Sequence, residues 1–101
     1  MQPIRIEQYN ATEMLIEWST TERFALPFKD LRFHCPCAGC VDEMTGRRIV
    51  LRSSVRDDVR PAFVQVVGRY ALQVHWTDGH TAGVYHFDYL HDLCGATGRR
   101  L

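Results

Sequence analysis

No run of apolar residues in this sequence approaches the roughly 18 that a helical membrane span requires, so no membrane role is expected. The opening stretch from Met1 to Asn10, MQPIRIEQYN, lacks the apolar centre of an export signal, and the expected location is the cytoplasm. Net charge is missing too. Twelve Lys and Arg side chains cancel 12 Asp and Glu, which argues against a general polyanion binder, and nucleic acid is not an expected partner. The sequence contains no low-complexity or linker stretch, no Gly-rich phosphate loop, no nucleophile elbow and no paired-carboxylate signature, and on those absences the chain is not expected to be an enzyme. His86-Phe87-Asp88 does match the His-x-Asp half of an iron-oxygenase facial triad. That spacing arises cheaply, and 101 residues do not accommodate the barrel that supplies the distal histidine.

What is present fits one compact domain over residues 1–101, with 46% hydrophobic content. A chain of this size buries only about 60 to 70% of its unfolded surface, so a cross-link would add needed stability. Three of the four cysteines fall within six residues, Cys35-Pro36-Cys37-Ala38-Gly39-Cys40. A disulfide between such near neighbours is strained, and without an export signal thiolate ligands are the better reading. Pro36 stiffens the approach and Gly39 permits the tight backbone that lets three sulfurs converge. Converging thiolates need a cation, and zinc is the default because it accepts sulfur and nitrogen ligands and closes its shell at four. His80, Cys94, His34 and His75 compete for the fourth place. His80 is favoured because it follows a rigid hairpin turn; His34 would close a cramped ring, His75 lies mid-strand, and Cys94 reads equally well as a small buried residue. Three thiolates and a neutral imidazole leave the site with one negative charge and no open position, a structural arrangement. Iron, or an iron-sulfur cluster sharing a partner's ligand, uses the same donor types.

The chain also repeats itself. At an offset of 58, Met14, Ile16, Trp18 and Ser19 fall on Leu72, Val74, Trp76 and Thr77. At an offset of 59, Ala25, Phe28, Asp30, Leu31 and Cys35 fall on Val84, Phe87, Tyr89, Leu90 and Cys94. Each copy reads as two strands and a short helix. In the second copy Asp78-Gly79 predicts a two-residue hairpin turn in which Thr77 faces His80, Trp76 faces Thr81, Val74 faces Gly83, Leu72 faces Tyr85 and Tyr70 faces Phe87. The large apolar side chains then share one face, while Gln73, His75, His80, Ala82 and His86 share the other. Between the copies, residues 47–69 hold six of the eleven arginines, with strands expected near Ile49 to Arg52 and Phe63 to Val67 and a polar turn from Ser53 to Pro61. The arginines read as a solvated face, or else as a surface for an acidic partner. The tail from Gly95 to Leu101 is expected to fray. The fold class that results is α+β: mostly antiparallel hairpins, two short helices and a strand-strand-helix pseudo-repeat.

The run Leu31-Arg32, Cys35-Pro36-Cys37-Ala38, Cys40-Val41-Asp42-Glu43, Thr45-Gly46 and Arg48, followed by Val67-Gly68, Tyr70-Ala71-Leu72, Trp76, Asp78-Gly79-His80, Gly83, Tyr85 and Tyr89-Leu90, resembles the gamma-butyrobetaine hydroxylase-like N-terminal domain family over nearly the whole chain. The resemblance implies a zinc site whose ligands match Cys35, Cys37, Cys40 and His80. It also implies a domain that supports packing and dimerisation beside an oxygenase domain, or that is attached to ATPases carrying iron-sulfur clusters. Neither the oxygenase domain nor the ATPase phosphate loop lies within these residues, so neither activity carries over. His91 departs from the family, where arginine is frequent. The expected function is a metal-binding accessory module, monomeric or homodimeric, that meets a protein partner such as an iron-sulfur cluster carrier. The alternative is a metal or cluster transfer protein with a labile cysteine site.

Overall fold

The computed structural model describes residues 2–37, 40, 44–49, 51–80 and 83–101. Strands β1 (Pro3–Gln8), β2 (Glu13–Trp18) and β3 (Arg23–Pro27) run antiparallel and lead directly into helix α1 (Phe28–Phe33). After a single 3-10 turn at Arg52–Ser54, strands β4 (Pro61–Val67), β5 (Ala71–Trp76) and β6 (Gly83–His86) repeat the pattern and lead into helix α2 (Phe87–Thr97). A last strand, β7 (Arg99–Arg100), adds to β3, giving sheets ordered β1-β2-β3-β7 and β4-β5-β6. The architecture is a small α+β domain dominated by antiparallel strands.

The two copies share a register as well as an order. Met14 faces Leu26 as Leu72 faces Tyr85, and Ile16 faces Phe24 as Val74 faces Gly83. The correspondence also reaches one strand further than the sequence suggests. Pro3 faces Trp18 and Ile6 faces Ile16, while Pro61 faces Trp76 and Val64 faces Val74, and in both pairs the register shifts just after the proline. Each unit is therefore three strands and a helix. Proline fits the start of each edge strand because it has no N–H to offer a ladder.

One hydrophobic cluster spans both units. Trp18, Ile16, Leu26 and Leu31 from the first meet Leu72, Val74, Tyr85 and Leu90 from the second, all fully buried. Alternation along β5 drives this arrangement, since Leu72, Val74 and Trp76 point inward while Gln73 and His75 are only half-buried.

Four expectations change. The hairpin after Trp76 closes over three residues, not two: Gly79 N–H donates to the Trp76 carbonyl and Trp76 N–H to that of His80. Gly79 takes the positive φ of 90° that this turn demands, and the Trp76 N–H is bonded to the His80 carbonyl. No strand forms at Ile49 to Arg52 among the described residues. Its described residues, Ile49, Leu51 and Arg52, are all exposed, so among them no buried side chain rewards pairing. The segment from Ser53 to Pro61 is more than a polar turn, because Val55 and Val59 enter the core. Finally, the tail is ordered. Helix α2 continues to Thr97, Gly98 N–H caps it on the Cys94 carbonyl, and Leu101 N–H bonds the Arg23 carbonyl, contacts that need backbone groups and no apolar pattern. Ala38, Gly39, Val41 to Glu43, Val50, Thr81 and Ala82 lie outside the described residues, so the expectations placed on them do too.

Candidate metal centre

Helix α1 ends where the cysteine run begins. Its last carbonyls would be orphaned at such an end, and distant side chains satisfy them. Buried Tyr85 donates its hydroxyl to the Leu31 carbonyl at 2.7 Å, and Tyr89 donates to that of His34 at 2.5 Å. Arg48 donates from Nη1 to the carbonyls of Phe33 at 2.6 Å and Cys35 at 2.9 Å, with its guanidinium over the Phe33 ring. The chain then turns, Cys40 N–H meeting the Cys37 carbonyl at 3.0 Å and Ile49 N–H the Cys40 carbonyl at 2.7 Å.

Against this loop the β5–β6 hairpin presents His80. Its Nε2 lies 3.2 Å from Cys35 Sγ, 3.4 Å from Cys37 Sγ and 3.9 Å from Cys40 Sγ. All four ligand atoms fall within 4.8 Å of one another. A tetrahedral ion with sulfur at about 2.3 Å and nitrogen at about 2.0 Å has sulfur-to-nitrogen edges of about 3.5 Å, so the donor set fits such an ion. Cys35 and Cys40 are buried, whereas Cys37 and His80 are half-buried at the rim. Gly83 makes the approach possible. A Cβ there would stand 3.2 Å from the Tyr85 ring, 3.3 Å from Trp76 Nε1 and 3.6 Å from Cys35 Sγ.

The electrostatics favour a cation. Burial pushes the Cys35 thiol up to about 12, opposed in part by a hydrogen bond from the Cys37 backbone and reinforced by the Cys37 and Cys40 side chains, so without a positive charge nearby this sulfur stays protonated. His80 is pushed below the ordinary histidine value, first by burial and then by the Arg32 charge, which keeps its ring neutral and its lone pair available. Asp78, at the hairpin tip, accepts from His80 N–H at 3.0 Å and from Arg32 Nε at 3.0 Å.

The structure thus brings Cys35, Cys37, Cys40 and His80 together and leaves the other candidates apart. Cys94 is fully buried in α2, where the Trp18 indole faces it without reaching hydrogen-bond geometry. His34 packs edge-on against Phe33, and His75 stacks on Phe63 at 4.0 Å. His86 and Asp88 are exposed and gather no further ligand among the described residues. The supporting shell of Arg32, Arg48, Tyr85 and Tyr89 was not assigned from the sequence. Its signal is that all four recur in the same residue pattern as the ligands.

Comparison with known proteins gives a consistent result. The family model described as "Gamma-butyrobetaine hydroxylase-like, N-terminal" matches residues 4–91. A crystal structure of a protein of unknown function from Acidithiobacillus ferrooxidans, assigned to the DUF971 family, superposes with a TM-score of 0.68 at 30% identity over 91% of each chain. An NMR structure at 26% identity covers 93% of this chain and 73% of its own, with a TM-score of 0.69. A curated relative, the chloroplastic Fe-S cluster assembly factor HCF101 of Arabidopsis thaliana, is 34% identical over 61 residues. That stretch is 60% of this chain and 12% of the plant protein.

Proposed function

The chain belongs to the gamma-butyrobetaine hydroxylase-like N-terminal family, and from that premise we propose that it is a metal-binding accessory module, not an enzyme, in which Cys35, Cys37, Cys40 and His80 hold one zinc ion. The observation that carries this reading is the convergence of four soft and borderline donors within 4.8 Å on two separate segments. A bound ion would supply cross-linking charge, stabilising three thiolates of which only Cys40 has a described guanidinium, that of Arg32, directed at its sulfur. With all four positions filled by protein, no site is left to activate water. The module's proposed work is protein recognition in iron-sulfur cluster assembly, and the partial likeness to a cluster assembly factor supports that setting. Elemental analysis of protein purified without added metal tests the first part, with one zinc per chain expected. Recovery of a cluster carrier or scaffold in repeated pull-downs tests the second, and no specific partner would count against it.

A second reading is favoured by the half-buried rim at Cys37 and His80: a labile site that passes metal or a cluster onward. Anaerobically purified protein showing sulfur-to-iron charge-transfer absorption would support transfer, while colourless protein with zinc supports the scaffold.

A further inference from the structure

One side chain touches both ends of the cross-link. Arg32, with only 12% of its side chain exposed, donates from Nε to Asp78 Oδ2 at 3.0 Å and points Nη1 at Cys40 Sγ, 3.6 Å away. Asp78 in turn accepts the His80 N–H through Oδ1. A continuous path therefore runs from the sulfur of Cys40, through the guanidinium and the carboxylate, to the residue that presents the imidazole, and it passes through no ion. The corresponding residue of the second unit, His91, pairs with Glu22 at 2.8 Å, where no ligand cluster is found among the described residues. The arginine accompanies the ligands, and its counterpart does not.

A guanidinium is a rigid planar fork that can serve a carboxylate and a second acceptor at once, whereas an ammonium is a single point charge on a flexible stem. An N–H directed at a thiolate draws electron density from the sulfur, and partners of this kind fix ligand orientation and tune metal affinity. Resting on the metal-binding reading above, we propose that Arg32 is the positioning residue of the centre: it sets the imidazole against the sulfurs through Asp78 and stabilises Cys40 as a thiolate, so that the ion is held tightly.

Wild-type protein, Arg32→Met and Arg32→Lys are loaded with cobalt(II), and the thiolate-to-cobalt charge-transfer band and the cobalt Kd in chelator competition are read for each. Both variants should move the band to lower energy and weaken cobalt binding by about 10- to 100-fold, while Arg32→Lys, which keeps the charge, should melt like wild type when metal-free. If Arg32→Met fails to fold, Arg32→Lys decides alone. An unchanged band and Kd in the folded variants, with only a lower melting temperature, would show a merely structural arginine and overturn the proposal. Wild-type protein that takes up no cobalt would overturn the metal reading itself.

Discussion

His80 sits where several constraints meet, because its ring is kept neutral by burial and by Arg32 while Asp78 fixes its backbone. A histidine whose folded pKa is depressed contributes stability above its unfolded value and loses it as pH falls, so acid should weaken the fold and release metal together. His80→Ala is expected to reduce bound metal well below one per chain and to lower the melting temperature, measured by elemental analysis and calorimetry. Cys94 behaves differently. Cys94→Ala should retain full metal content and cost about 1 kcal/mol for the small cavity it leaves. Burial pushes the Cys94 thiol from 9.0 to about 12. A raised folded pKa stabilises below the unfolded value and is lost as pH climbs through the folded one. Metal-loaded wild type should therefore lose stability above about pH 9, and Cys94→Ala should lose less, as read from melts across that range.

At the level of elements, the β5–β6 hairpin and the end of α1 decide whether the ligands meet. Gly83→Ala places a methyl group against Trp76, Tyr85 and Cys35, and should lower the melting temperature and speed metal release to a chelator. Arg48→Ala strips two carbonyls at the end of α1 of a charged donor, at a cost of about 1.5 to 3 kcal/mol in a denaturant titration. The register of Leu72 and Val74 against Tyr85 and Gly83 was legible from sequence, because strand periodicity favours the pairing that buries the large side chains on one face, although the Asp78-Gly79 turn itself was read one residue too short. The leading strands of the repeat were not. β1 and β4 are edge strands whose matching half-buried positions reduce to little more than Pro3 with Pro61 and Ile6 with Val64. The strand expected at Ile49 to Arg52 failed for the opposite reason, since local composition favoured it while no sheet edge receives its described residues. Arg48, Tyr85 and Tyr89 stood in the matching pattern without a role, because they bond backbone carbonyls far away in sequence, a relation that no spacing rule encodes.

Across the whole molecule, the proposed ion joins the two units, with three sulfurs from the first and an imidazole from the second. Ligand binding to the folded state alone adds about 2.7 kcal/mol when free metal stands a hundredfold above Kd. For a chain of this size that corresponds to roughly 10 to 20 °C in melting temperature. Stripping metal with a chelator should produce a drop of that order, restored by zinc, and a midpoint that ignores chelator would count against a structural ion. The shared core explains why the effect is expected to be global: Trp18 and Tyr85, from different units, lie in the same buried cluster.

The ordered tail completes a fastening that closes back on the beginning of the chain. Arg99 pairs with Glu13 at 2.8 Å and β7 is zipped to β3, so the end of the second unit is tied to the first on a different element from the cysteine loop. Peptide-bond scission after exposed Arg56 by trypsin should consequently leave two pieces that travel together through gel filtration. They should come apart only in denaturant, as two hands clasped at more than one finger do not part when the arm between them is cut.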